Sequence, residues 1–135
     1  MAPKVTEVAA AIICRHGKYL IARRGPGSHA AEKWEFPGGK IEGGEGAAAC
    51  LRRELEEELG IRVEVGSPFL TSSHDYGEQG IVRLHSYLCW LVDGEPQPRV
   101  HTDLQWAAPE ELSVYDFAPA DIAIMERLRS DASVA

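Results

Sequence analysis

Three glutamates, Glu54, Glu57 and Glu58, stand at the spacing i, i+3, i+4 near the middle of the chain. The apolar periodicity of residues 45–59 predicts a helix that ends at Gly60, and on a helix this spacing places the three carboxylates on one face. A cluster of oxygen ligands is what a hard cation such as Mg²⁺ prefers, whereas zinc favours histidine or cysteine. The pattern predicts a metal-binding face, and a solvated acidic face is the alternative.

The residues on either side extend this cluster into a longer motif. From Gly39 the chain has five residues, Glu45, seven residues, and then the run RELEEELGI from Arg53 to Ile61. This arrangement resembles the Nudix box over residues 39–61, and all nine specified positions match. The chain is therefore identified by resemblance as a member of the Nudix hydrolase family.

The resemblance implies hydrolysis of nucleoside diphosphates linked to another moiety, with Mg²⁺ as the metal and Mn²⁺ as a possible substitute. It places the metal on Glu54, Glu57, Glu58 and the main-chain carbonyl of Gly38. Arg53 is placed to hold carboxylates in register by bidentate pairing. Metal-bound water would attack phosphorus. Glu54 is our choice for the catalytic residue that orients or deprotonates this water, although family members differ on the general base.

Two further segments resemble the MutT-like branch of the family, most closely its CTP pyrophosphohydrolase and 8-oxo-dGTP diphosphatase members. They are WEFPGGK, which begins at Trp34, and FAPAD, which begins at Phe117. That branch converts nucleoside triphosphates, some of them oxidised or otherwise modified, to nucleoside monophosphate and pyrophosphate. The resemblance assigns five residues to substrate binding: Arg24, His29, Glu35, Phe36 and Asp121.

Structural interpretations stand beside these assignments. Arg24 and His29 also fit a solvated cation and an ordinary loop histidine, and Phe36 fits a core aromatic. Asp121 fits a cap of the last helix. The oxidised-guanine members of the branch carry Asn at the position of Asp121, and an ionised Asp only accepts hydrogen bonds. We therefore expect Asp121 to read an exocyclic amine of the base.

One position departs from the branch. The MutT-like branch often supplies another acidic metal ligand from the loop before the tryptophan that is Trp106 in this chain. Val100 stands at the place of that ligand. His101 and Asp103 are the candidates to replace it, and the alternative is a site with fewer tightly bound ions.

The elements that must position these residues are predicted from periodicity and turn signals. Strands are expected over 7–14, 19–24, 61–65, 69–73 and 81–92, with a last short strand at Trp106. Pro37, Gly38 and Gly39 are expected to break any regular element, and a final helix is expected over 120–129. Strands interspersed with helices predict an α/β fold. The resemblance makes this the Nudix fold, an α/β/α sandwich around a mixed β-sheet.

Length and composition set the broad class. The chain has 135 residues, a formal charge of −7 and three cysteines, which predicts a single domain over residues 1–135. The acidic balance argues against a nucleic acid polymer as partner. No apolar run is long enough to span a membrane, and no signal core precedes the first strand. These features predict a cytoplasmic protein, for which a monomer or homodimer is expected, and the family resemblance implies that it acts on small nucleotides.

We predict a metal-dependent pyrophosphohydrolase of nucleoside triphosphates that serves nucleotide-pool sanitation or control. One alternative is a Nudix hydrolase of ADP-ribose or another nucleoside diphosphate derivative. The other is a nucleotide sensor without turnover.

Overall fold

The computed structural model describes residues 2, 4–27 and 30–134. Short 3₁₀ turns lie at Gly77–Gln79 and Pro109–Val114. The strands and helices, in chain order, are β1 (Val5–Arg15), β2 (Lys18–Arg23), β3 (Trp34–Glu35), β4 (Gly38–Lys40), α1 (Ala47–Leu59), β5 (Arg62–Asp75), β6 (Ile81–Asp93), β7 (Asp103–Ala107) and α2 (Pro119–Val134).

Within the described residues, seven strands form a mixed sheet in the order β3-β2-β1-β6-β5. Strand β4 pairs with β1, and β7 pairs with β2. The pairing of β1 with β6 is parallel, and the other strand pairs are antiparallel. Strand β1 is therefore the centre of the sheet, and it pairs with β2, β4 and β6.

Alternating residues of β1 face two separate apolar cores, because successive side chains of a strand point to opposite faces. Ala9, Ala11 and Ile13 belong to the core that includes α1. Ala10 and Ile12 belong to the core that includes α2. The sheet thus lies between two helical layers, which confirms the predicted α/β fold and its mixed sheet.

Helix α1 follows the predicted pattern closely. It begins at Ala47, two residues later than predicted, and it ends where expected. Gly60 adopts the left-handed conformation with φ of 69°, and its N–H donates to the Glu56 carbonyl over 3.0 Å. Leu51, Leu55 and Leu59 are fully buried against the sheet. Their anchorage determines which face of α1 is left for the glutamates.

Two predictions about strands were wrong. Gly38 and Gly39 do not break regular structure, because Gly38–Lys40 forms β4 on the edge of β1. The segments predicted as two strands, 61–65 and 69–73, form the single strand β5. Register shifts next to Val65 and Pro68 let β5 continue against β6 despite a proline that cannot donate to the ladder.

No helix in the described part of the chain is long and apolar enough to cross a membrane.

Candidate active site

A cleft of about 760 Å³ opens beside β4 and the middle of α1. One part of it is acidic and the other is partly apolar. The acidic part is lined by Gly38, Gly39, Lys40, Glu42, Glu54 and Glu58. The second part is lined by residues that include Arg24, Glu35, Phe36, Tyr76, Val82, Leu84, Ala118, Ala120 and Asp121. The strand order brings segments more than 80 residues apart in the chain to this one opening.

Glu58 is the most perturbed carboxyl group of the acidic part. Burial first, and then its hydrogen bond to Glu54 and the negative charges of Glu54 and Glu35, raise the pKa of Glu58 to about 8. Its Oε2 atom is buried and has no hydrogen-bond partner within the described residues. A buried carboxylate oxygen without a partner is costly, and a cation in the cleft would satisfy it.

Arg53 organises the carboxylates next to Glu58. Its Nε and Nη2 donate to the two oxygens of Glu45, at 3.2 and 2.6 Å, and its Nη1 donates to Glu54 Oε1 at 2.8 Å. The hydrogen bonds from Arg53 lower the pKa of Glu45 to about 2. The bidentate pairing predicted for Arg53 is thus present, with Glu45 as the bidentate partner. Arg53 does not line the cleft, and its contact with Glu54 Oε1 links it to a residue that does; its catalytic role stays a prediction.

Glu57 lies apart from the other two glutamates of the motif. Its side chain is 62% exposed, its carboxylate is 3.6 Å from Arg53 Nη1, and it does not line the cleft. The structure therefore brings Glu54, Glu58 and Gly38 together in the wall of the cleft, and it leaves the Glu57 side chain outside the cleft. The assignment of Glu57 to the metal stays a prediction.

The two glycines before the helix serve different contacts. A Cβ atom on Gly38 would overlap the main-chain carbonyl of Ala9, so β4 can pair with β1 only with glycine at this position. A Cβ atom on Gly39 would overlap the Glu54 carboxylate. Gly39 therefore leaves the space that the Glu54 side chain occupies beside the cleft.

The residues of the acidic part fit a divalent cation by their chemistry. Their side-chain donors are carboxylate oxygens, which suit hard cations, and Glu58 Oε2 lacks a protein partner. Within the described residues, no group of three or more acidic, histidine or cysteine side chains already has the arrangement of a metal site. Glu54 and Glu58 are thus the pair around which a cation site could assemble.

Arg24 and Glu35 meet in the second part of the cleft. Arg24 Nη1 donates to Glu35 Oε1 over 2.6 Å, and the other carboxylate oxygen, Oε2, lies 2.9 Å from His101 Nε2. Both Arg24 and Glu35 line the cleft. The structure therefore brings two of the predicted substrate-binding residues into one ion pair. His29, a third, lies outside the described residues.

Phe36 and Asp121 form the adjoining wall. Phe36 is buried, its ring stacks on Phe117 with centroids 5.2 Å apart, and it also lines the cleft. Asp121 lies in the first turn of α2, but its Oδ1 accepts a hydrogen bond from the Phe36 N–H at 2.9 Å. Burial, and next the negative charge of Glu35, hold the pKa of Asp121 well above its usual range. The side chain thus joins α2 to the segment before β4.

The candidates for the missing loop ligand are engaged elsewhere. His101 binds Glu35, and Asp103 Oδ1 accepts a hydrogen bond from the N–H of Leu104 at 2.8 Å. Neither residue lines the cleft, and Val100 is exposed.

Sequence reasoning missed Tyr76 altogether. Its hydroxyl oxygen accepts a hydrogen bond from the Ala120 N–H at 3.2 Å, and its ring lies in the cleft wall. A lone tyrosine between a strand and a turn carries no local signal of such a role. Its neighbourhood is created only when β5 meets the start of α2.

Comparisons with known proteins agree with this fold and site. A family model described as the NUDIX domain matches residues 8–127. The CTP pyrophosphohydrolase of Escherichia coli (strain K12) is 44% identical over 124 residues, which are 91% of this chain and 90% of that protein. The 8-oxo-dGTP diphosphatase of the same organism is 33% identical over 130 residues, which are 93% and 98% of the two chains. The crystal structure of a MutT Nudix hydrolase from Burkholderia pseudomallei has a TM-score of 0.82 and 28% identity, and covers 91% of this chain and 97% of that one.

The chain is an α/β/α domain with helix-borne carboxylates in a cleft, it matches a NUDIX-domain model over most of its length, and its relatives are named hydrolases, which together define a class of small hydrolases. This chain belongs to the Nudix family. Its members generally need a divalent metal, which agrees with the oxygen donors of the acidic part.

Proposed function

We propose that the chain hydrolyses nucleoside triphosphates, modified ones included, to nucleoside monophosphate and pyrophosphate with the help of Mg²⁺. The observation that carries this proposal is the single cleft that joins two unlike surfaces. Carboxylates line one part, and an arginine lies beside a partly apolar wall with a buried aspartate in the other. A nucleoside triphosphate has the same division, because its phosphates can be held through a cation and its flat base can pack on a partly apolar wall.

The curated relatives support the same substrate class. Their names specify CTP in one case and 8-oxo-dGTP in the other, and this chain spans nine tenths or more of both. We propose that this chain, too, acts in nucleotide-pool sanitation or control, in the cytoplasm. A single domain over 1–135 and a monomer or homodimer stay predictions.

In the proposed mechanism, Glu54, Glu58 and the Gly38 carbonyl would hold the divalent cation, with Glu57 as the predicted further ligand. When bound, Mg²⁺ neutralises phosphate charge and acidifies water. Arg53 keeps Glu54 in place through the 2.8 Å contact. Arg24 binds phosphate oxygens, for which a guanidinium is well suited. Glu54 orients or deprotonates the attacking water, and Glu58 is the alternative, because its Oε2 is unpartnered.

We expect purified protein to release pyrophosphate and nucleoside monophosphate from CTP, 5-methyl-dCTP or 8-oxo-dGTP in millimolar Mg²⁺, and to stop when EDTA is added. Glu57→Gln is predicted to abolish the release, whereas Glu64→Gln, an equal charge change at an exposed residue of β5, should leave it within twofold. Chromatographic separation of products checks both. Release of inorganic phosphate and nucleoside diphosphate, hydrolysis of ADP-ribose alone, or binding without product would each contradict the proposal.

Asp121→Asn tests how the base is read. The second oxygen of Asp121 only accepts when the group is ionised, and the raised pKa shifts that form to higher pH, so the assay belongs on the alkaline side. The substitution keeps an oxygen for the Phe36 N–H and replaces this acceptor with an amide nitrogen that only donates. Because one such contact discriminates between bases by about 1–3 kcal/mol, we expect the ratio of kcat/KM for CTP over 8-oxo-dGTP to fall about tenfold. Competition assays with both nucleotides measure this ratio. An unchanged ranking in a variant with unaltered thermal unfolding would rule out base reading by Asp121.

A further inference from the structure

His101 contacts Glu35, a residue that lines the second part of the cleft. Its Nε2 lies 2.9 Å from Glu35 Oε2, while Glu35 Oε1 accepts from Arg24 Nη1. The His101 side chain is 5% exposed and that of Glu35 is 14% exposed. Glu35 and Arg24 line the cleft and His101 does not. The carboxylate of Glu35 is therefore held between a histidine on its inner side and an arginine in the cleft.

The hydrogen bonding of His101 determines where its ring carries a proton. A carboxylate only accepts, so the contact with Glu35 requires the proton on Nε2. The Nδ1 atom is buried and has no partner among the described residues. A proton on Nδ1 would add a buried donor without a partner, so we assign the neutral Nε2–H form, in which Nδ1 is an acceptor without a partner among the described residues. His101 is thus a directed donor to Glu35.

The segment that carries His101 is attached to both sides of the site. On one side, the Arg99 N–H donates to the Glu58 carbonyl at 3.2 Å. On the other, the Thr102 N–H donates to the Arg23 carbonyl at 3.0 Å, next to Arg24. Residues 99–102 therefore connect the end of α1 to the end of β2. This attachment gives His101 a defined place relative to Glu35.

We propose that His101 is a positioning residue for triphosphate binding, which fixes Glu35 so that Glu35 holds Arg24 toward the phosphates. The inference rests on the proposed function, because it assigns Arg24 to phosphate. Without His101, Glu35 Oε2 loses its donor in a nearly buried place, and the carboxylate can turn away from Arg24. His101 thus acts on phosphate binding through Glu35 and Arg24. It lies in the loop from which a further metal ligand was expected.

The test is binding of the α,β-methylene analogue of dCTP, which cannot be cut at that bond, measured by calorimetry in Mg²⁺. We expect His101→Phe, which keeps a ring and removes the donor, to weaken binding about tenfold, the loss of one charge-assisted hydrogen bond. His101→Gln, which restores an N–H donor, should recover most of this. In an Arg24→Gln background, His101→Phe should add less than twofold, because its effect passes through Arg24. With hydrolysable substrate, KM should rise while kcat stays within about twofold.

His85 offers a matched control, because its Nε2 lies 2.7 Å from a carboxylate oxygen of Glu7, away from the cleft. His85→Phe should leave analogue binding unchanged. An unchanged affinity in His101→Phe, an equal loss in the Arg24→Gln background, or no recovery in His101→Gln would overturn the positioning role. If wild-type protein does not bind the analogue at all, the proposed function fails and this inference falls with it. Nitrogen-15 NMR of the His101 ring checks the pair directly: the Nε2–H signal should shift in Glu35→Gln, and a proton on Nδ1 would contradict the arrangement.

Discussion

Glu58→Gln is expected to lower kcat/KM for nucleoside triphosphates by about 10³-fold, the usual loss when one electrostatic or acid–base group is removed. The same change should make the metal-free protein more stable at alkaline pH. Both effects have one cause, a carboxylate buried in the cleft with an unpartnered oxygen. Glu58 therefore keeps its proton near neutral pH, and the site leaves its charge uncompensated once it ionises, unless a cation is bound. A change that stabilises the protein and abolishes its activity marks a functional group.

The direction of the pH dependence follows from the pKa of Glu58, which is about 8 in the folded chain against 4.5 for an ordinary glutamate. Between these values the folded state binds more protons than the unfolded state, so stability falls as pH rises. In EDTA, the melting temperature of Glu58→Gln should exceed that of the wild type by a few degrees above pH 8, and the difference should close toward pH 4. Added Mg²⁺ should raise the wild-type melting temperature and leave that of the variant unchanged.

Glu56→Gln is the matched control, because Glu56 is an exposed carboxylate of the same helix that does not line the cleft. Its activity should stay within twofold of the wild type, and its melting temperature should not show the alkaline gain. Two results would contradict the role given to Glu58. One is activity of Glu58→Gln within tenfold of the wild type, and the other is a melting temperature of this variant in EDTA that is lower than that of the wild type above pH 8.

Gly38→Ala and Gly39→Ala are expected to fail in different ways. The added Cβ at Gly38 would overlap the main chain of Ala9, which cannot move without opening β4 from β1. We expect this variant to lose more than about 3 kcal/mol of unfolding free energy, beyond the usual cost of overpacking. At Gly39 the added Cβ meets the Glu54 side chain, which can turn aside. That variant should fold and lose activity by about 10²-fold, because a displaced side chain removes a correctly placed group.

Urea denaturation and pyrophosphate release, measured on both variants, separate the two outcomes. Gly43→Ala is the control, because a Cβ atom there meets nothing within 4 Å. It should match the wild type in both assays. A stable Gly38→Ala, or a fully active Gly39→Ala, would show that β4 does not hold the position that this structure gives it.

The helix and its carboxylates were predictable because their determinants are local. The spacing of the leucines buries one face of α1, the glutamates follow on the next face, and Gly60 ends the helix in a conformation that glycine adopts without strain. Arg53 lies eight residues from Glu45, so the pairing of the two is also contained within one segment. All of these features can be recognised from the residues of this one segment, without knowledge of the sheet.

Strand β4 and the side-chain partners of the second part of the cleft were not predictable in this way. Gly38 and Gly39 carry a turn signal locally, and they form a strand because Gly38, which has no Cβ atom, can approach the main chain of Ala9 on β1. Glu57 shares the spacing of its neighbours, yet its carboxylate lies beside Arg53 outside the cleft. A one-dimensional pattern reports which face of a helix a residue occupies, and it does not report what the opposite element presents to that face.

The amino-acid sequence alone therefore determined the family and the helix that bears the glutamates, since short-range spacing and residue type decide these. Tertiary structure alone decided that Glu58 is the buried carboxylate, that Asp121 is joined to the Phe36 N–H and that His101 stands behind Glu35. The Phe36–Asp121 and Glu35–His101 pairs are 85 and 66 residues apart, and the pKa of Glu58 is raised by burial and by charges that include Glu35 of β3. Their energetics arise from the loss of solvent, and solvent is excluded only when the sheet and both helical layers come together.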